Sequence, residues 1–98
     1  MFPFARLFGS SYPLIGMVHL GPLPGSPRWG GSMEAVLARA TRDARILAGE
    51  GIDGLIVENF GDTPYTPGRV DAVTVAAMAV VITAVRETAP EIPLGVNV

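Results

Sequence analysis

The chemistry open to this chain is concentrated in very few side chains. Its 98 residues include one histidine and no cysteine, so thiolate nucleophiles, disulfides and Cys-based metal sites are excluded. The histidine, His19, nearly closes the run Pro13-Leu-Ile-Gly-Met-Val-His-Leu20. An imidazole there can exchange a proton with a substrate or ligate a metal; its structural alternative is a hydrogen bond in the wall of the fold. Glu58 follows three apolar residues in Gly54-Leu-Ile-Val-Glu-Asn-Phe60. A carboxylate in such surroundings is costly unless paired, which suits a general base, a ligand contact or a metal site, against a plain hydrogen bond to a neighbouring strand. Asn59 comes next, and Asn97 lies near the end of a third run, Leu94-Gly-Val-Asn-Val98. Either carboxamide can orient a substrate hydroxyl or carbonyl, and either can equally serve structure.

A second group sits in loops. Asp62 follows a glycine and reads either as the start of an Asx-turn or, with Glu58, as a carboxylate pair for a divalent cation. Arg28 and Trp29 lie in the segment Gly21 to Gly31 (GPLPGSPRWGG). Folded over a ligand, Arg28 can reach a phosphate, whereas Trp29 suits anchoring of the loop. Gly30-Gly31-Ser32 presents backbone donors ahead of a helix, which fits an anion site or ordinary capping.

These residues need elements to position them. The runs Pro13–Leu20, Gly54–Phe60 and Leu94–Val98 are short, apolar and closed by Gly/Pro clusters, as buried strands are. Between the first two, Met33, Val36, Leu37, Ala40, Ala44 and Leu47 recur with helical spacing behind Ser32, a suitable N-cap, and glycines at 49 and 51 supply the stop. Between the second and third, Asp71 can cap a helix from about Ala72 to Thr88, which Pro90 and Pro93 terminate. Phe4 to Phe8 suits a helical turn. The order of the strands and the helices between them is β-α-β-α-β, which implies α/β architecture with a parallel sheet covered by helices. All loops leading from strand to helix then lie on one side, and His19, Glu58, Asn59 and Asn97 gather there. Successive strand residues point to opposite faces, so Glu58 and Asn59 share a face only if the strand ends between them.

Composition removes other functions. Hydrophobic residues make up 49% and charged residues 16%, which excludes charge-driven disorder. Seven basic residues, all arginine, against nine acids give a net charge of −2, and no basic patch marks nucleic acid as a partner. The longest apolar stretch, Ala72 to Val85, is short of the ~20 residues of a membrane span. With no signal-peptide pattern at the N-terminus, a cytoplasmic location is expected. No repeat or linker divides the chain. The helix at 72–88 has almost no polar face and expects partners on several sides, as does a sheet with two open edges; the segment reads as an incomplete globular unit.

Four stretches carry a resemblance. Gly16-Met-Val-His-Leu-Gly-Pro-Leu-Pro-Gly-Ser-Pro27, Asp53-Gly-Leu-Ile-Val-Glu-Asn-Phe-Gly-Asp62, Thr74-Val-Ala-Ala-Met78 and Pro93-Leu-Gly-Val-Asn-Val98 resemble, in order and spacing, the blocks of the BtpA (BtpA/SgcQ) family, named for a photosystem I biogenesis protein. The likeness runs from about Pro13 to the end of the chain. Gly21 stands where the family commonly has proline, and Ala72-Val73 replace a frequent Pro-Glu.

The resemblance implies a TIM-type (β/α)₈ barrel akin to the ribulose-phosphate-binding barrels, of which residues 1–98 would be the partial domain carrying strands 1 to 3 and the two helices between them. Such barrels need ~250 residues and place their sites at the C-terminal ends of the strands. It further implies a protein that binds or acts on a small phosphorylated sugar or nucleotide-like metabolite, with His19 and Glu58 as catalytic candidates and Asn59, Asn97, Asp62 and Arg28 as ligand-binding candidates. Neither a metal nor a cofactor is specified, and a full-length chain is expected to be a homo-oligomer. The alternatives are a non-catalytic accessory factor in photosystem I biogenesis and stabilisation, or a fragment inactive by itself.

Overall fold

The computed structural model describes residues 4–9, 12–62 and 69–98. Along them run α1 (Phe4–Phe8), β1 (Ile15–His19), α2 (Met33–Gly49), β2 (Gly54–Glu58), α3 (Ala72–Thr88) and β3 (Leu94–Asn97). The strands form one parallel sheet in the order β1-β2-β3, as the β-α-β-α-β reading expects, so the chain is α/β. Of the loop expected over Gly61 to Arg69, residues 63–68 lie outside the described residues.

The register is regular. Ile15 pairs with Gly54 and His19 with Glu58; Leu55 pairs with Leu94 and Glu58 with Asn97. Each strand residue thus meets one 39 positions further along the chain, as Asn97 and Glu58 do. The start of the β1–β2 ladder is locked twice at one position. Asp53 Oδ2 accepts from the Leu14 amide at 2.8 Å, and the Asp53 amide donates back to the Leu14 carbonyl at 2.9 Å.

One face of the sheet carries the helices. Val18, Leu55 and Val57 are buried there with Ala40 and Ala44 of α2 and Ala77, Met78, Val81 and Val85 of α3. Alanines on α2 let its axis approach the sheet closely, and Gly16 completes the fit: a Cβ there would lie 3.1 Å from Leu47 Cδ1. Ser32 caps α2, its side-chain oxygen accepting from the Ala35 amide at 3.0 Å. Beyond the helix, Gly51 takes a φ of +82°, where a side chain is strained.

Asp71 differs from expectation. It occupies the N-cap position of α3, but its side chain makes no capping bond. Its backbone carbonyl instead accepts from the amides of Thr74 and Val75 at the start of the helix. At the other end Arg86 donates to the carbonyls of Pro90 and Ile92, which satisfies the turn into β3. Away from α2 and the sheet, α3 leaves Val73, Val75 and Val80 exposed, in keeping with a helix apolar nearly all round.

The opposite face of the sheet bears Ile15, Met17 and His19 from β1, Gly54, Ile56 and Glu58 from β2, and Gly95 and Asn97 from β3, by strand alternation. No helix covers its C-terminal end among the described residues. At the N-terminal end α1 leans in, so that a Cβ on Gly54 would fall 2.8 Å from Phe8 Cε1. Beside this contact an apolar cleft opens, lined by Leu7, Phe8, Pro13, Ile56, Pro93 and Leu94.

Candidate functional site

The top row of the uncovered face brings together His19, Glu58 and Asn97, which are consecutive partners across the three strands. Asn97 Nδ2 donates to Glu58 Oε2 at 2.6 Å. On the other side, His19 Nε2 lies 4.0 Å from Glu58 Oε1, with the His19 side chain 43% and the Glu58 side chain 21% exposed. The carboxylate is thus half-buried between an amide donor and an imidazole, and its two oxygens have different neighbours.

Phe60 completes the row. Its ring stacks on the His19 imidazole with centroids 4.4 Å apart and planes 12° from parallel. Two residues beyond Glu58, it returns to the same face. The stack holds the plane of the imidazole beside Glu58. The sequence marks this region by its polar strand-end residues, and the aromatic two positions beyond Glu58 is a further signal that the structure adds.

Asn59 and Asp62 form a separate cluster. β2 ends at Glu58, and Asn59 turns to the helix-bearing side, where it is buried at 4% exposure. Its Nδ2 donates to Asp62 Oδ2 at 3.0 Å, and the Asp62 amide returns to the Asn59 carbonyl at 3.0 Å. Asp62 Oδ1 then accepts from the Leu23 amide at 2.8 Å. Glu58 and Asp62 therefore engage different partners, and among the described residues no group of three or more His, Cys, Asp or Glu side chains is placed to hold a metal ion. The Oδ1 atom of Asn59 is buried without a hydrogen-bond partner.

This cluster fastens the loop after β1 to the turn after β2. The Leu20 amide donates to the Glu58 carbonyl and the Gly61 amide to the Leu20 carbonyl. Leu23 is fully buried in the core. Gly61 packs directly on backbone: a Cβ there would come within 2.7 Å of Gly21 C and Pro22 N and 2.8 Å of Leu20 O. Further along, Gly25 has φ +94° and its Cβ position lies 2.8 Å from Val73 Cγ1 of α3. The first part of the loop is held against the β2 turn and α3. Arg28 follows in an exposed position, with its amide 3.4 Å from Ser26 Oγ, and Trp29 is half-buried with its amide bound to the Ser26 carbonyl.

What the row can do follows from its groups. An acceptor-only carboxylate and an imidazole that can donate or accept face one another across a gap, in partial shelter from water, where electrostatic interactions exceed those in bulk solvent. No helix among the described residues is long and apolar enough to cross a membrane.

Known proteins carry similar sequences. Photosystem I biogenesis protein BtpA of Synechocystis sp. is 46% identical over 93 residues, which are 95% of this chain and 32% of the relative. An uncharacterized protein of Thermococcus kodakarensis is 52% identical over 88% of this chain and 32% of its own length. An uncharacterized mitochondrial protein of Caenorhabditis elegans is 38% identical over 76% of this chain and 27% of its own. The chain thus spans about a third of the length of the curated relatives it matches. No solved structure matches it. The pattern that defines the BtpA family covers residues 10–98, and the chain belongs to that family.

Proposed function

We propose that the chain forms the first three strands of a (β/α)₈ barrel and that His19, Glu58 and Asn97 line its binding site for a small phosphorylated sugar or nucleotide-like metabolite. Three parallel strands with two helices on one face and, among the described residues, an opposite face uncovered at its C-terminal end are what one sector of such a barrel presents, and barrel enzymes place their sites at the C-terminal strand ends. The observation that carries the reading is the row itself: an imidazole, a carboxylate and a carboxamide from three strands, at one level, on the bare face. His19 and Glu58 exchange protons with the ligand and Asn97 orients it. Asn59 and Asp62 act through the shape of the loop they fasten, and Arg28 offers a cation to a phosphate. The family and fold analogy supports the metabolite class, since fold alone does not fix function.

The second reading, a non-catalytic accessory role in photosystem I biogenesis, draws on the name and the 46% identity of the Synechocystis relative. Thermal unfolding of the full-length protein with and without pentose phosphates and nucleoside monophosphates separates the two. Ligand at a hundredfold excess over Kd stabilises by about 2.7 kcal/mol, and His19→Ala and Glu58→Ala are expected to lose most of that response. No response in any variant removes the support for the metabolite reading, and co-purification with a photosystem I assembly intermediate supports the accessory role.

A further inference from the structure

The separation of His19 and Glu58 has a definite size. At 4.0 Å, His19 Nε2 and Glu58 Oε1 are beyond a direct hydrogen bond, which lies at roughly 2.7–3.2 Å. One oxygen atom placed about 2.8 Å from each would subtend an angle of roughly 90° between them, near the directions that a hydroxyl uses to donate and accept. Glu58 also cannot close the gap by itself, because Oε2 is held by Asn97 Nδ2 at 2.6 Å. The imidazole is restrained from the other side by the Phe60 ring at 4.4 Å.

We propose that this gap is a subsite for a single hydroxyl group of the ligand, with Asn97 as the positioning residue that presents Glu58 Oε1 to it. The inference rests on the metabolite reading above and deepens it. The hydroxyl donates to the carboxylate, which can only accept, and accepts from Nε2–H of the imidazole. A phosphate oxygen is excluded, because it would meet the Glu58 carboxylate as a like charge. The phosphoryl group therefore binds away from the row, and the row reads the hydroxyl-bearing part of a sugar or ribose.

Matched pairs of sugar phosphates test this by calorimetric titration of the full-length protein: ribose 5-phosphate against 2-deoxyribose 5-phosphate, and glucose 6-phosphate against 2-deoxy- and 3-deoxyglucose 6-phosphate. One parent sugar is expected to bind at least tenfold more tightly than one of its deoxy partners. In Asn97→Ala, and in His19→Phe, which retains an aromatic ring against Phe60, that ratio is expected to fall below threefold. Loss of selectivity with retained binding is a readout that a merely structural role of Asn97 does not produce. Equal binding of parent and deoxy sugars, or a ratio that survives both substitutions, overturns the hydroxyl subsite and leaves the metabolite reading standing. Absence of binding by every sugar phosphate and every nucleoside monophosphate overturns both.

Discussion

Replacing Gly61 by alanine tests how closely the two loops are joined. The added methyl carbon would sit 2.7–2.8 Å from Gly21 C, Pro22 N and Leu20 O, whereas carbon contacts are comfortable at about 3.5–4.0 Å. All three are backbone atoms, so no rotamer change relieves the clash and the loops must separate by about 1 Å. Overpacking of this kind costs about 1–3 kcal/mol. The separation also stretches the bonds from Gly61 N to the Leu20 carbonyl and from Leu23 N to Asp62 Oδ1, now 2.9 and 2.8 Å, at about 1 kcal/mol each. Alanine returns up to about 1 kcal/mol by restricting the unfolded chain. The net loss is about 2–4 kcal/mol. Urea unfolding of the full-length protein measures it, with the fluorescence of Trp29, the single tryptophan of the 98 residues and itself in the loop, reporting on the local change. Gly30→Ala is the control, since nothing lies within 4 Å of its Cβ position. A Gly61→Ala loss below about 0.5 kcal/mol, the range of ordinary surface substitutions, would refute the close approach.

Other substitutions probe neighbouring contacts. Asp62→Ala removes the acceptor shared by Leu23 N and Asn59 Nδ2 and is expected to cost about 2–3 kcal/mol in the same urea assay, with Asn59→Ala adding much less on top of it than alone. Ser32→Ala is expected to cost about 1 kcal/mol through the lost cap on α2, and Asp71→Ala distinctly less, because its side chain makes no capping bond. Thermal unfolding of the pair decides whether capping follows geometry or residue type. Val81→Ala, at a fully buried position, is expected to cost about 1–3 kcal/mol, and Val75→Ala, 56% exposed, within about 0.5 kcal/mol.

Much of the fold was legible because hydrophobic period reports which way a side chain faces. The short apolar runs marked all three strands to within a few residues, and the spacing from Met33 to Leu47 marked the helix that Ser32 caps. Glu58 and Asn59 lie on opposite sides, as strand alternation expects, although β2 stops between them. Partners are another matter. Asp62 bonds to Leu23, 39 positions away, and nothing in either local pattern names the other. The His19–Phe60 stack joins the end of β1 to the turn after β2 in the same way. Asp71 shows the converse: its type suits a cap, but the backbone carbonyl performs the task and the side chain is left out.

The pairing of β1, β2 and β3 makes the chemistry and the hydrophobic core a single specification. Glu58 adjoins Val57, which is fully buried against the helices, while His19 adjoins Val18, equally buried. A slip of β2 by one position would turn Glu58 into the apolar layer and Val57 out to water, since side chains alternate strictly. A one-residue slip thus cannot displace the carboxylate from the imidazole without also dismantling the packing beneath it. Packing of the apolar layer therefore guards the alignment of the polar row against one-residue slips whether or not any ligand is present.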